Sequence, residues 1–267
     1  MRVGKRVHVG LIAALVLAAG AAIAQQTDVS IPVLVPITGF LSLEGASQRN
    51  GALLAMRRAP KGLNIKGDVS DTGVSPDVAV NALERAISRD KPTAVVASML
   101  GTQMLAMLPI AQEAKIPLLT VSGTGAITER GNPYVFRFFP GDNVAKVAHV
   151  RYVLDDLKKS RIALVYQTTA YGQSGRNEIL NQLKKAGIEP VMQEALEVQI
   201  RDMSPAINKV RQANPDVVLL HLHSQPTALF VRAAAQAKLG LPIVAGSAMH
   251  QPPTAALLEP AEMANVC

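Results

Sequence analysis

His221-Leu222-His223 is the pair in the sequence most like a metal-binding motif. Side chains alternate along a strand, so positions 221 and 223 would share one face. A zinc site needs a third ligand and an outer shell to orient it, and His250 is the candidate third. Buried imidazoles are more often held by hydrogen bonds, so these histidines are read as cleft residues, with no metal and no cofactor expected. Nucleophile signatures are missing. Gly172-Gln173-Ser174-Gly175 lacks the spacing of a G-x-S-x-G elbow, and Gly39 and Gly45 do not complete a dinucleotide fingerprint. What remains is a set of small polar turns: Thr38-Gly39, Ser98 to Thr102, Ser122-Gly123-Thr124-Gly125, Gln167-Thr168-Thr169, Ser224 and Gly246-Ser247. Backbone N–H groups at helix starts hold anions, hydroxyls add donors, and glycine lets a ligand approach the chain. Gly101-Thr102 and Ser122 to Gly125 therefore suit a carboxylate. The same residue types also make ordinary turns and caps.

These turns fall between alternating strands and helices. Apolar runs predict strands at Ile31–Val35, Leu63–Val69, Thr93–Ala97 and Pro117–Val121. Helices are expected near Ala46–Arg57, after Ser75-Pro76-Asp77, and around Met104, Leu105, Leu108 and Ala111. The pattern then restarts. A helix stripe runs through Val147, Val150, Leu154 and Leu157. Strands follow at Arg161–Tyr166, Pro190–Ala195, Asp216–Leu222 and Leu241–Ala245. Helices are predicted around Ile179 to Leu183, at Ser204–Gln212 and at Pro226–Lys238. Within each set the strands start about 23 to 33 residues apart, the length of a βα unit. Near-continuous apolar strands belong to parallel sheets covered on both faces. The expected fold is α/β, with two doubly wound parallel-sheet lobes joined by a hinge near Pro140-Gly141-Asp142. The predicted division is 1–24 as a signal peptide, 25–140 as the first lobe and 141–267 as the second.

Composition bounds the remaining choices. Of 267 residues, 49% are hydrophobic and 18% charged, which supports a buried core and excludes global disorder. A single cysteine excludes a disulfide scaffold and a cysteine-rich metal module. Arg2, Lys5 and Arg6 precede the apolar run Val9–Ile23, and Ala22-Ile23-Ala24 is an acceptable cleavage site, so the leader reads as an export signal. The expected location is the periplasm. Removing those three bases from the 27 leaves 24 against 20 acids, a weak positive charge. The clusters Arg57-Arg58, Lys158-Lys159-Ser160-Arg161 and Lys184-Lys185 lack interleaved aromatics, so they read as solvated helix ends and no nucleic-acid partner is expected. Met99, Met104 and Met107 read as core filling.

Four segments carry a resemblance: residues 35–56, 95–138, 161–191 and 214–246, with TERGNPYVFR and AYGQSG the most specific stretches. Together they resemble the leucine/isoleucine/valine-binding family of type I periplasmic binding proteins. The resemblance implies an extracytoplasmic solute receptor of an ABC importer. It would close two lobes on a small carboxylate-bearing ligand, carry out no chemistry and deliver the ligand as a monomer to an inner-membrane permease. A sensory ligand-binding domain reporting to a regulator is the alternative on the same fold. The implied ligand-binding residues are Gly101, Thr102, Ser122, Gly123, Thr124, Tyr171 and Ser224. Glu44 replaces a common aromatic, and Ala248 stands where amino-acid binders carry an acid for the ammonium group. Glu44 is the candidate substitute for that acid. Leu100 occupies a position that is commonly cysteine, and Cys267 ends the chain. Members commonly run on for roughly 100 more residues, so the chain reads as truncated, with apolar surface exposed on both lobes.

Overall fold

The computed structural model describes residues 27–267, so the segment read as a signal peptide lies outside the described residues. Thr27–Ser30 (β1) pairs in parallel with Leu63–Lys66 (β3) as a two-stranded extension. Val33–Val35 (β2), Val69–Asp71 (β4), Val95–Val96 (β5), Leu118–Thr120 (β6) and Val135–Arg137 (β7) form a parallel sheet in the order β4-β2-β5-β6-β7. The single strand expected over 63–69 is therefore two strands in two sheets. The chain bends between them at Gly67, which lies against the Ile31 carbonyl. β7 is not predicted from the sequence, because three residues that include Arg137 leave no apolar run to detect.

Ser42–Arg57 (α1), Pro76–Asp90 (α2), Gly101–Ala114 (α3) and Ala126–Glu129 (α4) connect these strands. Ser75 takes the N-cap position of α2 in extended conformation, as expected, but its side chain makes no capping bond. Leu34, Val95 and Leu118 of the sheet pack with Leu83 of α2 and Met104 and Met107 of α3 in one apolar cluster.

Asp142–Arg151 (α5) opens the second unit and runs into a π-helical turn at Tyr152–Asp156. The remaining elements are Ile162–Gln167 (β8), Ala170–Lys185 (α6), Met192–Leu196 (β9), Ser204–Ala213 (α7), Val217–His221 (β10), Ser224–Gln236 (α8), Ile243–Ala245 (β11) and Pro252–Ala255 (α9). The strands are parallel in the order β11-β10-β8-β9. Successive residues of β8 and β10 point to opposite faces. Ala163, Val165 and Leu220 join Phe230 on one side, and Ile162, Leu164 and Leu219 join Ile179 on the other. The backbone N–H groups of Ile243 and Ala245 donate to the carbonyls of Asn265 and Cys267, which covers the outer edge of β11. No helix among the described residues is long and apolar enough to cross a membrane.

Both sheets are doubly wound, as expected, with five strands in the first rather than four. Strand order reverses at β2, which lies between β4 and β5, and again at β8, which lies between β9 and β10. Connections leave in opposite directions at such a point, so each sheet has a crevice at the carboxyl ends of its strands.

Candidate functional site

The two crevices face one another across a cavity of about 30 Å³. Its first wall comes from the first sheet: Glu44 in the first turn of α1, Met99 after β5, Val121 and Gly123 after β6, and Phe139 after β7. The second wall holds Tyr171 in the first turn of α6, His223 and Ser224 at the start of α8, Ser247 and Ala248 after β11, and Gln251 before α9. A space of that size holds a water or two, so a larger ligand needs the walls to part. Glu44, Met99, Val121, Phe139 and Gln251 also border an apolar groove of about 1070 Å³ between α1, the open face of the first sheet and α9.

Tyr171 is the centre of the second wall. Its hydroxyl lies 3.1 Å from Ser247 Oγ, and its ring packs on His221 (centroids 4.1 Å apart) and His223 (4.8 Å). Burial pushes its phenol well above the ordinary range. The His223 N–H donates to Gln167 Oε1 at 3.0 Å, and its Nε2 lies 3.3 Å from Thr169 Oγ1. Thr169 Oγ1 in turn caps α6 by accepting the Gly172 N–H. These bonds tie the ends of β8 and β10 together at the reversal point of the second sheet. His223 also meets Phe40 of the first unit, ring centroids 5.3 Å apart. His223 is the N-cap of α8 and not a strand residue, so 221 and 223 do not share a strand face. His250 is exposed, and no cluster of three potential metal ligands occurs among the described residues.

Of the eight residues singled out in the sequence, Glu44, Gly123, Tyr171 and Ser224 line this cavity. Gly101, Thr102, Ser122 and Thr124 are not among its lining residues. Gly101 packs on Thr124 so closely that a Cβ would lie 2.0 Å from Thr124 Oγ1. Ser122 is turned to its own loop, where its N–H donates to Thr120 Oγ1 and its Oγ accepts the Thr124 N–H. Thr124 borders a second groove of about 370 Å³ between the units, with Gln173 and Ser174. There the Gly125 N–H donates to Ser174 Oγ at 2.9 Å, a clasp between the two units. Thr102 is half-buried in the first turn of α3. Met104 and Met107 are core residues as expected, whereas Met99 reaches the cavity.

Behind Tyr171 lies a group of ionisable residues of which only His221 is a candidate in the sequence. Asp142 Oδ1 is 3.8 Å from His221 Nε2, and the fully buried Lys146 Nζ is 3.4 Å from His149 Nδ1. Burial raises Asp142 to about 6, against the pull of Lys146. Burial also lowers Lys146 to about 8, holds His149 and His223 near 3, and takes His221 well below its ordinary value. The Asp142–Lys146 spacing of one helical turn is visible in the sequence. Its burial is not, since a helical lysine normally faces solvent.

Two buried oxygens, one on each wall of the cavity, have no hydrogen-bond partner among the described residues: Glu44 Oε1 and Ser224 Oγ. Buried polar atoms are rarely left so, and a pair of them where two walls meet fits a place where a polar ligand docks.

A family profile described as periplasmic binding protein matches residues 28–266. A leucine-, isoleucine-, valine-, threonine- and alanine-binding protein of Pseudomonas aeruginosa is 26% identical over 236 residues, which cover 86% of this chain and 63% of the relative. The chain thus spans about 63% of that relative's length. A leucine-binding protein of Thermotoga maritima superposes with a TM-score of 0.79 at 24% identity, covering 87% of this chain and 67% of that one. A solute-binding protein of an ABC transporter from R. palustris, solved with benzoate, gives 0.81 at 20% identity, covering 88% and 66%. With the doubly wound pair of sheets and the profile match along nearly all the described residues, the chain belongs to the leucine/isoleucine/valine-binding family of type I periplasmic binding proteins.

Proposed function

We propose that the chain acts as an extracytoplasmic solute receptor. It binds a small carboxylate-bearing solute between its lobes and hands it to an ABC permease in the inner membrane. The observation that carries this reading is the convergence of both sheet reversal points on one cavity with an unpartnered buried oxygen on each wall. The P. aeruginosa relative is named for amino acids, and the R. palustris structure holds an aromatic acid. Both ligand types carry a carboxylate.

Binding proceeds by closure. The walls part, the solute enters, and Tyr171 with the hydroxyls of Ser224 and Ser247 covers it from the second lobe. Closure excludes water, which strengthens each hydrogen bond to the solute. The solute favours the closed form only by its better contacts there, so recognition by the permease becomes a population shift. No chemical step is assigned. His223 directs its Nε2 to Thr169 inside the second lobe rather than to a cavity hydroxyl. The receptor works as a monomer in the periplasm, with the boundary between lobes near residue 140.

A thermal-shift panel tests this reading. L-leucine, L-valine, L-threonine, L-alanine, benzoate and 4-hydroxybenzoate are titrated against the protein. At least one should raise the midpoint with concentration, since a ligand at a hundred times its Kd adds about 2.7 kcal/mol. A flat response to all six contradicts the proposal.

A further inference from the structure

Glu44 is 5% exposed, in the first turn of α1 at the reversal point of the first sheet. Gly45 pins that turn to the end of β2, because a Cβ there would fall 1.8 Å from the Pro36 carbonyl oxygen. The carboxylate is thereby held at the cavity wall. Its Oε1 has no donor, and Glu44 forms no ion pair among the described residues. The helix dipole favours an acid in a first turn, but it does so equally for an exposed one and gives no reason for burial. A carboxylate out of water normally has a partner.

The other lining residues sharpen the point. Glu44 is the only acid among them, and neither lysine nor arginine is present. The opposite wall offers hydroxyls at Ser224 and Ser247, the Gln251 amide and the uncharged side chain of Ala248. A solute that is only an anion would bring a second negative charge beside Glu44 with no cation to offset either. A solute with a positively charged nitrogen would supply the missing donor and the missing charge together, while hydroxyl and N–H donors take its carboxylate.

We propose that Glu44 is a specificity-determining residue that receives the ammonium group of a zwitterionic solute. The cavity then selects ammonium-bearing carboxylates over aromatic acid anions. This rests on the receptor reading and narrows its ligand class. It also places the ammonium partner on the first lobe.

Isothermal titration of the full chain and of Glu44→Gln with L-leucine, L-threonine, L-alanine and benzoate tests it, alongside unfolding of both proteins without ligand. The parent should bind at least one amino acid more tightly than benzoate. Glu44→Gln should weaken that amino acid at least tenfold and leave benzoate equal or tighter. Without ligand its midpoint should match or exceed that of the parent, since no donor in the protein is lost with the Oε1 atom. Amino-acid binding within threefold of the parent overturns the assignment, as does a parent that binds benzoate and no amino acid, or a lowered midpoint without ligand. In those cases the receptor reading stands if any solute binds. A parent that binds none of the four, and none of the thermal-shift panel, overturns the receptor reading itself.

Discussion

His221 Nε2 lies 3.0 Å from the backbone carbonyl of Tyr171, while the two rings pack with centroids 4.1 Å apart. A carbonyl only accepts, so Nε2 carries the proton and Nδ1 is left bare. The last residue of β10 therefore fixes both the backbone and the ring of the main aromatic of the cavity. Gly175, one turn along α6 from Tyr171, makes room, because a Cβ there would fall 2.1 Å from His221 Nε2. Gly175→Ala must push the imidazole or the helix aside. Overpacking of this kind destabilises by about 1–3 kcal/mol. Chemical unfolding should show that loss, and solute affinity should fall with it because Tyr171 shifts. A variant as stable as the parent, with unchanged binding, contradicts the packing argument.

Tyr171 itself separates packing from hydrogen bonding. Tyr171→Phe keeps the ring on His221 and His223 but removes the 3.1 Å bond to Ser247 Oγ. The expected stability loss is about 1 kcal/mol. Tyr171→Ala empties a nearly buried site, with an expected loss of about 3–5 kcal/mol. Urea midpoints of the two variants should differ accordingly, and equal losses would show that the ring contributes little.

Gly101 and Thr124 form a second close pair. Gly101→Ala should destabilise by about 1–3 kcal/mol, and removing the facing hydroxyl in Gly101→Ala/Thr124→Ala should return part of that loss. A double-mutant cycle measures the coupling. Additive losses would mean that the loop absorbs the methyl group without meeting Thr124.

Acid should weaken the protein. Burial keeps His149 and His223 near 3 and His221 well below its ordinary value, against about 6.5 in an unfolded chain. Between 6.5 and 3 the unfolded chain then binds more protons, so stability falls as pH drops, by up to about 1.4 kcal/mol per pH unit for each imidazole. Asp142 has the opposite sign. Its carboxyl is raised from 3.8 to about 6, so the native chain holds the extra proton in that window, and this contribution is lost as pH rises through 6. Lys146, lowered from 10.5 to about 8, adds stability as pH rises from 8 towards 10.5. The three imidazoles outweigh the one carboxyl. Unfolding midpoints from pH 7 to 4 should fall, less steeply in His149→Asn and more steeply in Asp142→Asn. Identical slopes in all three proteins would show that these groups do not titrate as described.

How much could be read beforehand varied with the physical signal. β8 and β10 were plain, because strands buried on both faces are apolar throughout. β7 was not, because a three-residue edge strand with Arg137 in it has no such run. The doubly wound pairing followed from the spacing of strands, while the split of 63–69 into β3 and β4 depends on a bend at Gly67. Turn composition led to Gly101, Thr102, Ser122 and Thr124, yet glycine and hydroxyl residues pack loops together as readily as they hold anions. Glu44 and Tyr171 follow β2 and β8, the strands at the reversal points, Ser224 follows β10 and Gly123 follows β6, and these four line the cavity. Lys146 lies on the stripe of α5 that also buries Asp142 and Val150. Periodicity takes a lysine for surface, so the ionic group behind Tyr171 stayed hidden.

The central claim, that solute sits between the two walls, is tested most directly by amide hydrogen exchange with and without the panel compound that raises the midpoint most. Protection is expected on both walls at once, at Glu44, Val121 to Gly123, Tyr171 and His223-Ser224, with the outer helix α7 unchanged. Protection confined to one unit, or centred on the apolar groove beside α1 with Tyr171 and Ser224 unaffected, would contradict it.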